Sequence, residues 1–182
     1  MSGGAAVGLI WAQGGDGRIA AGGRVPWHVP EDLERFRLVT LGRAVVMGRA
    51  TWDALPARAR PLTGRVNLVL SRTPGRTLPG AQVVAGVPEA FAAARAAGSP
   101  PPVWVIGGEQ IFRLFEPFAE LAEVTLVDGR GRHRATAEDA TAFAPALGAD
   151  WKLTRREPAA GWLTSVSGAR YRFETWARGE PV

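Results

Sequence analysis

Val103-Trp104-Val105-Ile106-Gly107-Gly108-Glu109-Gln110 sets the architecture of this chain. Its four apolar residues read as a short buried strand that runs into two glycines and then into a helix start. Glycines at such a corner let a ligand approach the backbone, and the free amides of a helix start attract a phosphate. Val45-Val46-Met47-Gly48-Arg49-Ala50-Thr51 repeats the device and adds the charge of Arg49. Neither stretch matches the six-residue dinucleotide fingerprint or the lysine-containing phosphate loop, and each taken alone also reads as a bare glycine turn. Two such corners at the same end of one parallel sheet fit a dinucleotide with separated phosphates better.

Working outward, the segments 7–12, 43–47, 66–70, 82–85 and 103–106 read as short buried strands bounded by Gly or Pro. Helical stretches lie between them at 31–40, 51–55, 88–97 and 109–115. Near-continuous apolar strands alternating with helices predict an α/β fold with a central, mostly parallel sheet and helices on both faces. After a strand at 123–127 the character changes. Residues 151–155 and 171–176 alternate like half-exposed strands, which predicts an antiparallel C-terminal hairpin at one edge. No internal repeat or linker interrupts the chain. At 182 residues it reads as a single domain spanning 1–182, with loose termini at 1–6 and 179–182, large enough to bury roughly two-thirds of its unfolded surface.

Composition narrows the chemistry. With no Cys, the chain has no disulfide, thiolate nucleophile or zinc–thiolate site, and its two histidines, His28 and His133, are far apart in sequence. A catalytic triad or a metal site is therefore poorly supported, and no metal is expected. The opening Met1-Ser2-Gly3-Gly4-Ala5-Ala6 lacks the basic region of a signal peptide, and no apolar run approaches a membrane span, so the expected compartment is cytoplasmic. The net charge of +5 invites a nucleic-acid partner, but Lys152 is the one lysine and the arginines are spread along the whole chain. Arg130-Gly131-Arg132-His133-Arg134, the one local cluster, sits in a turn-like segment without interleaved aromatics and reads as a solvated loop. Small anionic molecules fit the charge better than a polyanion.

The sharpest site signal is Val25-Pro26-Trp27-His28-Val29-Pro30-Glu31-Asp32-Leu33-Glu34-Arg35-Phe36. Pro30 suits the first turn of a helix, and Glu31 follows where the dipole favours negative charge. The helical period places Asp32 and Phe36 on one face, with Leu33 beside them and Glu34 and Arg35 pointing away. An inward Phe36 then carries Asp32 toward an apolar region, where a lone carboxylate is costly unless a ligand pairs with it. The bland alternative is a solvated acid pairing with the helix dipole. Upstream, Gly14–Gly23 holds five glycines in ten residues and reads as a loop, with the capacity to act as a lid over Asp32.

Assembled in order, VGLIWAQ, PW-x-x-PED-x-x-x-F, VVMGR-x-TW, GR-x-N-x-VLSR, WVIGG, EVT-x-VD and SG-x-RYRF resemble the dihydrofolate reductase family over roughly Val7 to Arg178. The likeness is to the forms of high-GC actinobacteria. It implies NADPH as cofactor, hydride transfer to C6 of dihydrofolate and protonation at N5, giving tetrahydrofolate for one-carbon metabolism. Antifolate inhibitors would be further small-molecule partners, and the working form a monomer. In that family the carboxylate matching Asp32 binds the pterin 2-amino group and N3, Thr125 orients it, and Trp27 walls the site and holds an ordered water. Ile10, Ala12, Leu33, Phe36, Leu55 and Ile106 would enclose the substrate, with Arg65 gripping its glutamate α-carboxylate. For the cofactor the resemblance implies Ala12, Ile19, Ala20, Gly48, Arg49, Ala50, Thr51, Leu70, Ser71 and Arg72. A second group follows the glycine pair: Ile106, Gly107, Gly108, Glu109, Gln110, Ile111 and Phe112. The Gly107–Gly108 peptide is expected to be cis.

Three departures bear on rate and cofactor affinity. Phe112 stands where the family commonly has a tyrosine, Ala50 where a basic residue often meets the cofactor's 2′-phosphate, and Glu109 where a small residue is frequent. Competing readings are another reductase on the same fold, such as the pyrimidine reductase of riboflavin synthesis, and an arginine-rich nucleic-acid-binding protein. A catalytically silent binding module is a third. Asp32 with Thr125 and Arg65 favours a folate over a pyrimidine, and a nucleic-acid binder explains neither glycine corner.

Overall fold

The computed structural model describes residues 6–21, 27–73, 75–128 and 141–179. Along the chain these form β1 (Val7–Gly14), β2 (Arg18–Ala21), α1 (Pro30–Thr40), β3 (Ala44–Gly48), α2 (Arg49–Ala54) and β4 (Val66–Leu70). There follow β5 (Gln82–Val84), α3 (Val87–Ala96), β6 (Val103–Gly107), α4 (Glu109–Phe115) and β7 (Ala119–Val127). The chain closes with β8 (Thr141–Phe143), β9 (Trp151–Glu157), β10 (Leu163–Thr164) and β11 (Arg170–Arg178). The fold is α/β, with a mostly parallel central sheet and an antiparallel C-terminal edge.

The chain divides into two compact units, and β1 runs through both. Unit 1 comprises Met1–Leu9 and Val39–Ala119. Within it β1, β6, β3, β4 and β5 lie side by side, and each adjacent pair is parallel. Every residue of β3 is buried, as is most of β4 and β6, because helical crossovers leave such strands no solvated face. This explains why their sequences are continuous apolar runs rather than alternating ones.

Packing in that sheet is close enough to dictate a residue. Gly8 on β1 is the register partner of Trp104 on β6. A Cβ at Gly8 would lie within 2.8 Å of three carbons of the Trp104 ring. The indole lies across the glycine, and no larger side chain fits beneath it.

Unit 2 comprises Ile10–Leu38 and Glu120–Val182. Here β7 and β11 pair antiparallel from Leu121↔Ala177 to Val127↔Tyr171. β9 and β10 both pair with β11 on its other side, β9 along Phe173–Arg178 and β10 at Arg170–Tyr171. The expected hairpin is thus present, although β11 itself is an inner strand and β9 forms the edge. Lys152, Arg155, Arg156 and Glu157 line that edge strand with charge, a standard defence against pairing with another chain.

One element departs from expectation. Gly14–Gly23 reads as a loop, yet Arg18–Ala21 is a strand paired antiparallel with β8. Its partner residues, Thr141–Phe143, lie far along the chain, so nothing local announces it. A turn closed by Gly17 N–H to Gly14 O (3.0 Å) and an Arg18–Asp16 ion pair (3.0 Å) precede the strand. Gly22 and Gly23, the Arg130–Arg134 cluster and His133 lie outside the described residues. So do 1–5 and 180–182 of the termini. Ala6 and Gly179, by contrast, are tied in by bonds to Val103 N–H (2.9 Å) and Asp150 O (2.8 Å).

The Gly8–Trp104 contact yields a stability test. Gly8→Ala should lower stability by about 1–3 kcal/mol through overpacking, measured by urea unfolding. A Trp104→Leu background should relieve much of the loss, and equal penalties in both backgrounds would show that the indole is not the obstacle.

Candidate functional site

Helix α1 begins at Pro30, where a missing N–H is harmless, and its first turn is closed by Asp32 N–H to Val29 O at 3.0 Å. The two acids of this turn meet different fates. Glu31 accepts bonds from Ser165 Oγ (2.6 Å) and from Val166 N–H (2.9 Å), both in the turn between β10 and β11. These bonds, the Ser165 one foremost, hold its carboxyl below the usual range. Ser167 Oγ in the same turn donates to His28 O. The start of α1 is therefore fastened from a segment far along the chain, a clasp that no sequence pattern had signalled.

Asp32 turns inward instead. Burial raises its pKa, against the opposing effects of a hydrogen bond from Thr125 and the nearby charge of Arg35. Thr125 Oγ1, itself buried on β7, donates to Asp32 Oδ1 at 2.6 Å. Trp27, just upstream, packs against a cluster of Val29, Val127, Tyr171 and Phe173. Its indole Nε1 is buried with no protein acceptor, a donor fitted to a water or a substrate. Ile10 and Ala12 share one face of β1 by strand alternation; Ile10 is buried and Ala12 half-buried. Phe36, four residues after Asp32, is half-buried.

Two neighbours on the helix are not where periodicity puts them. Leu33 is 60% exposed rather than tucked beside Asp32. Arg35 does not point away: it forms an ion pair with Glu123 on β7 and stacks 4.5 Å above the Phe173 ring. The helix turns its 32–35–36 side toward the sheet, because β7 offers Arg35 a charge partner and β11 an aromatic face. Glu34, by contrast, is exposed and pairs with Arg37.

Unit 1 brings together most of the residues expected on the cofactor side, Ala12, Ile19 and Ala20 belonging to unit 2. Gly48 on β3 is the register partner of Leu70 on β4, and Met47 pairs with Gly107 on β6. Three parallel strands thus end side by side, delivering Gly48–Thr51, Ser71–Arg72 and Gly107–Ile111 to one edge. The corners touch closely. A Cβ on Gly48 would lie 2.9 Å from Ile111 Cγ1, and one on Gly108 would lie 3.7 Å from Thr51 Oγ1. The Gly107–Gly108 peptide is cis, and Gly107 has φ 112°, open to glycine but not to a side chain. Phe112 is buried under Gly107. Backbone amides at these corners, the Thr51 and Ser71 hydroxyls and the exposed Arg72 make a donor set suited to a phosphorylated nucleotide.

Other expected participants already have partners. Arg49 pairs with Asp53 one turn on (2.8 Å), and Glu109 with Arg113 (2.5 Å). Ala50 and Gln110 are exposed, while Leu55, Ile106, Ile19 and Ala20 are half-buried. Arg65 donates to Thr63 O at 2.5 Å, within a turn braced by Asn67. The Asn67 side chain, only 4% exposed, bonds to Leu62 N–H (3.0 Å), Leu62 O (3.0 Å) and Arg65 O (3.1 Å). The Asn in GR-x-N was visible in sequence, but its bracing role was not.

The raised Asp32 pKa carries a stability consequence. Folding favours its protonated form, so the associated stability is full below the ordinary carboxylate range and disappears as pH rises through the raised value. Asparagine carries no charge to desolvate and keeps an oxygen for Thr125. Ligand-free Asp32→Asn should therefore melt at higher temperature than the parent near neutral pH, with the gap closing toward acid. Melting curves across pH check this; a parent that is the more stable at neutral pH would contradict it.

Comparison with known proteins agrees with this geometry. The family model described as dihydrofolate reductase matches residues 6–178. The dihydrofolate reductase of Mycobacterium tuberculosis is 45% identical over 173 residues, covering 94% of this chain and 98% of that protein. That of Mycobacterium leprae is 46% identical over 172 residues, with the same coverage. The solved structure of dihydrofolate reductase from Enterococcus faecalis, complexed with NADP(H) and RAB-propyl, aligns with a TM-score of 0.77. It is 26% identical and the alignment covers 96% of this chain and 97% of that one. This chain, with its inward helical carboxylate bonded to a strand threonine and its paired glycine corners, belongs to the dihydrofolate reductase family.

Proposed function

We propose that the chain reduces 7,8-dihydrofolate to 5,6,7,8-tetrahydrofolate with NADPH, and that Asp32 is the carboxylate that receives the pterin. The observation that carries this reading is Asp32 itself. It is held by Thr125 at 2.6 Å in surroundings that penalise its charge, a state that a cationic or amidine-like ligand would relieve. The pterin 2-amino group and N3 present two adjacent donors, which match the two oxygens of a carboxylate. Asp32 then favours a proton at N5 electrostatically, with solvent as the proton source. Trp27, whose Nε1–H is buried without a protein acceptor, would hold an ordered water for that step.

Ile10, Ala12, Leu33, Phe36, Leu55 and Ile106 are the apolar residues assigned to the substrate. The exposure of Leu33 suits a side chain that becomes covered when ligand binds. Arg65, fixed by the Asn67-braced turn, is assigned to the glutamate α-carboxylate, where a planar fork gives two parallel bonds. NADPH, when bound, supplies the hydride to C6. Gly48, Thr51, Gly107, Gly108, Gln110 and Ile111 would hold its phosphates, Leu70, Ser71 and Arg72 its adenosine end, and Ala12, Ile19 and Ala20 its nicotinamide. Arg49 must share itself with Asp53 to take part, and Glu109 is partly neutralised by Arg113. With Ala50 uncharged, Arg72 is the residue assigned to the 2′-phosphate. Phe112 packs where a hydroxyl would otherwise be offered.

A monomer is proposed as the working form, supported by the charged β9 edge. The cytoplasm, with its NADPH pool, is the proposed compartment.

The decisive experiment follows NADPH absorbance with dihydrofolate as acceptor. Asp32→Asn should fold yet lose about 10²-fold or more in turnover at neutral pH, since the amide keeps volume but not charge. Unchanged steady-state and single-turnover rates would remove Asp32 from the reaction. A separate test concerns Arg65→Lys. It should raise the KM for dihydrofolate, equivalent to roughly 1–3 kcal/mol, while leaving the NADPH KM close to the parent value. A pterin lacking the glutamate tail should not register the change, and equal penalties for both substrates would place Arg65 elsewhere.

A further inference from the structure

Helix α1 and strand β7 meet through two matched pairs, only one of which is the Thr125–Asp32 bond. On a helix, residues three apart are neighbours, so Asp32 and Arg35 lie side by side. On a strand, residues two apart share a face, so Thr125 and Glu123 do the same. The structure joins them in register: Thr125 Oγ1 to Asp32, and Arg35 Nη2 to Glu123. The Arg35 and Glu123 side chains are only 19% and 14% exposed. Glu123 is further fixed by Thr175 Oγ1 on the neighbouring β11 (3.0 and 3.1 Å), and Arg35 by the Phe173 ring.

We propose that Arg35 and Glu123 form a positioning pair for Asp32, keeping it in register with Thr125 and holding a positive charge, itself counterbalanced, one helical turn away. A purely structural anchor at this place would need no charge, since an apolar pair of similar volume holds a helix to a sheet as well or better. The charged groups around Asp32 leave Arg35 as the cation that acts on it. From α1, Glu31 is engaged with Ser165 and Val166, while His28 is exposed at the helix start. From β7 come Thr125 and Glu123. From β11, Thr175 and Phe173 are uncharged, and Glu174 is committed to Arg156 and Arg172. Burial opposes the Asp32 charge, and Arg35 offsets that opposition in part. Glu123 tempers Arg35, so the pair sets how much of the cation Asp32 feels.

The inference rests on the reading of Asp32 as the pterin-binding carboxylate, so its test has two readouts. One is the Asp32 carboxyl titration in the ligand-free protein, followed by carbon NMR of 13C-labelled aspartate. The other is the pH profile of kcat/KM for dihydrofolate, which reports groups of the free enzyme. Arg35→Met leaves Glu123 uncompensated and should shift the Asp32 titration upward. Glu123→Gln frees Arg35 and should shift it downward, each by about twofold or more in the protonation constant. The double variant should return toward the parent, and Arg35→Lys, which keeps the charge, should stay near it even where it melts earlier. Titrations that stay fixed in both single variants, or move equally in Arg35→Lys and Arg35→Met, overturn the inference. Because Glu123→Gln preserves shape and most hydrogen bonds, the test survives if Arg35→Met does not fold. Should the titrations move as expected while the kcat/KM profile does not, the pair stands and the catalytic reading of Asp32 falls.

Discussion

Keeping one carboxylate, Asp32, out of water beside β7 is the constraint around which unit 2 is arranged. An unpaired buried acid is costly, and the fold reduces that cost without removing it. Thr125 supplies one hydrogen bond, Arg35 a neighbouring charge, and the rest of the desolvation is left standing. A ligand pairing with Asp32, as proposed above, would relieve that residual penalty. Such an arrangement works only if the helix cannot slide. The 165–168 turn grips its first turn through Glu31 and His28, and the Arg35–Glu123 pair fixes it one turn later.

Unit 1 solves a different problem, ending buried strands in corners of polar backbone without exposing a sheet. Parallel strands buried on both faces must stop somewhere, and stopping β3, β4 and β6 in register puts three corners on one edge. Gly48 is needed because the corners approach each other to within side-chain contact, and Gly107 because its φ of 112° is open to glycine alone. Charge there is moderated rather than maximal: Arg49 and Glu109 each have a partner one helical turn away.

Several of the described arginines are held in much the same manner. Glu174, 4% exposed, sits between Arg156 and Arg172, and Trp162 underlies Arg172 at 4.8 Å. Arg178 likewise pairs with Asp150 at 2.6 Å while covering the Trp151 ring at 4.7 Å. The Arg178–Asp150 pair, with its exposed acid, contributes at most about 1 kcal/mol. The consequence of these pairs is local: each spends its charge within the molecule.

The sequence by itself determined the order and kind of the main strands and helices, because buried parallel strands must be continuously apolar and their corners must carry glycine. It also offered the inward Asp32 as one of two readings, since Pro30 fixes where the helix starts and Phe36 marks an apolar side, but a solvated acid fitted the same pattern until packing decided. The family motifs supplied Thr125 as its partner. Tertiary structure alone decided what depends on residues distant along the chain. Strand β2 needs β8, the clasp on Glu31 needs Ser165, and the Asn67 brace acts on backbone that looks like any other turn. Arg35 is the clearest case. Its helical position is compatible with solvent, and only the arrival of Glu123 and Phe173 from two other strands turns it inward. Periodicity encodes which face is apolar, but a charged side chain goes wherever its counter-charge is delivered, and that is settled by packing.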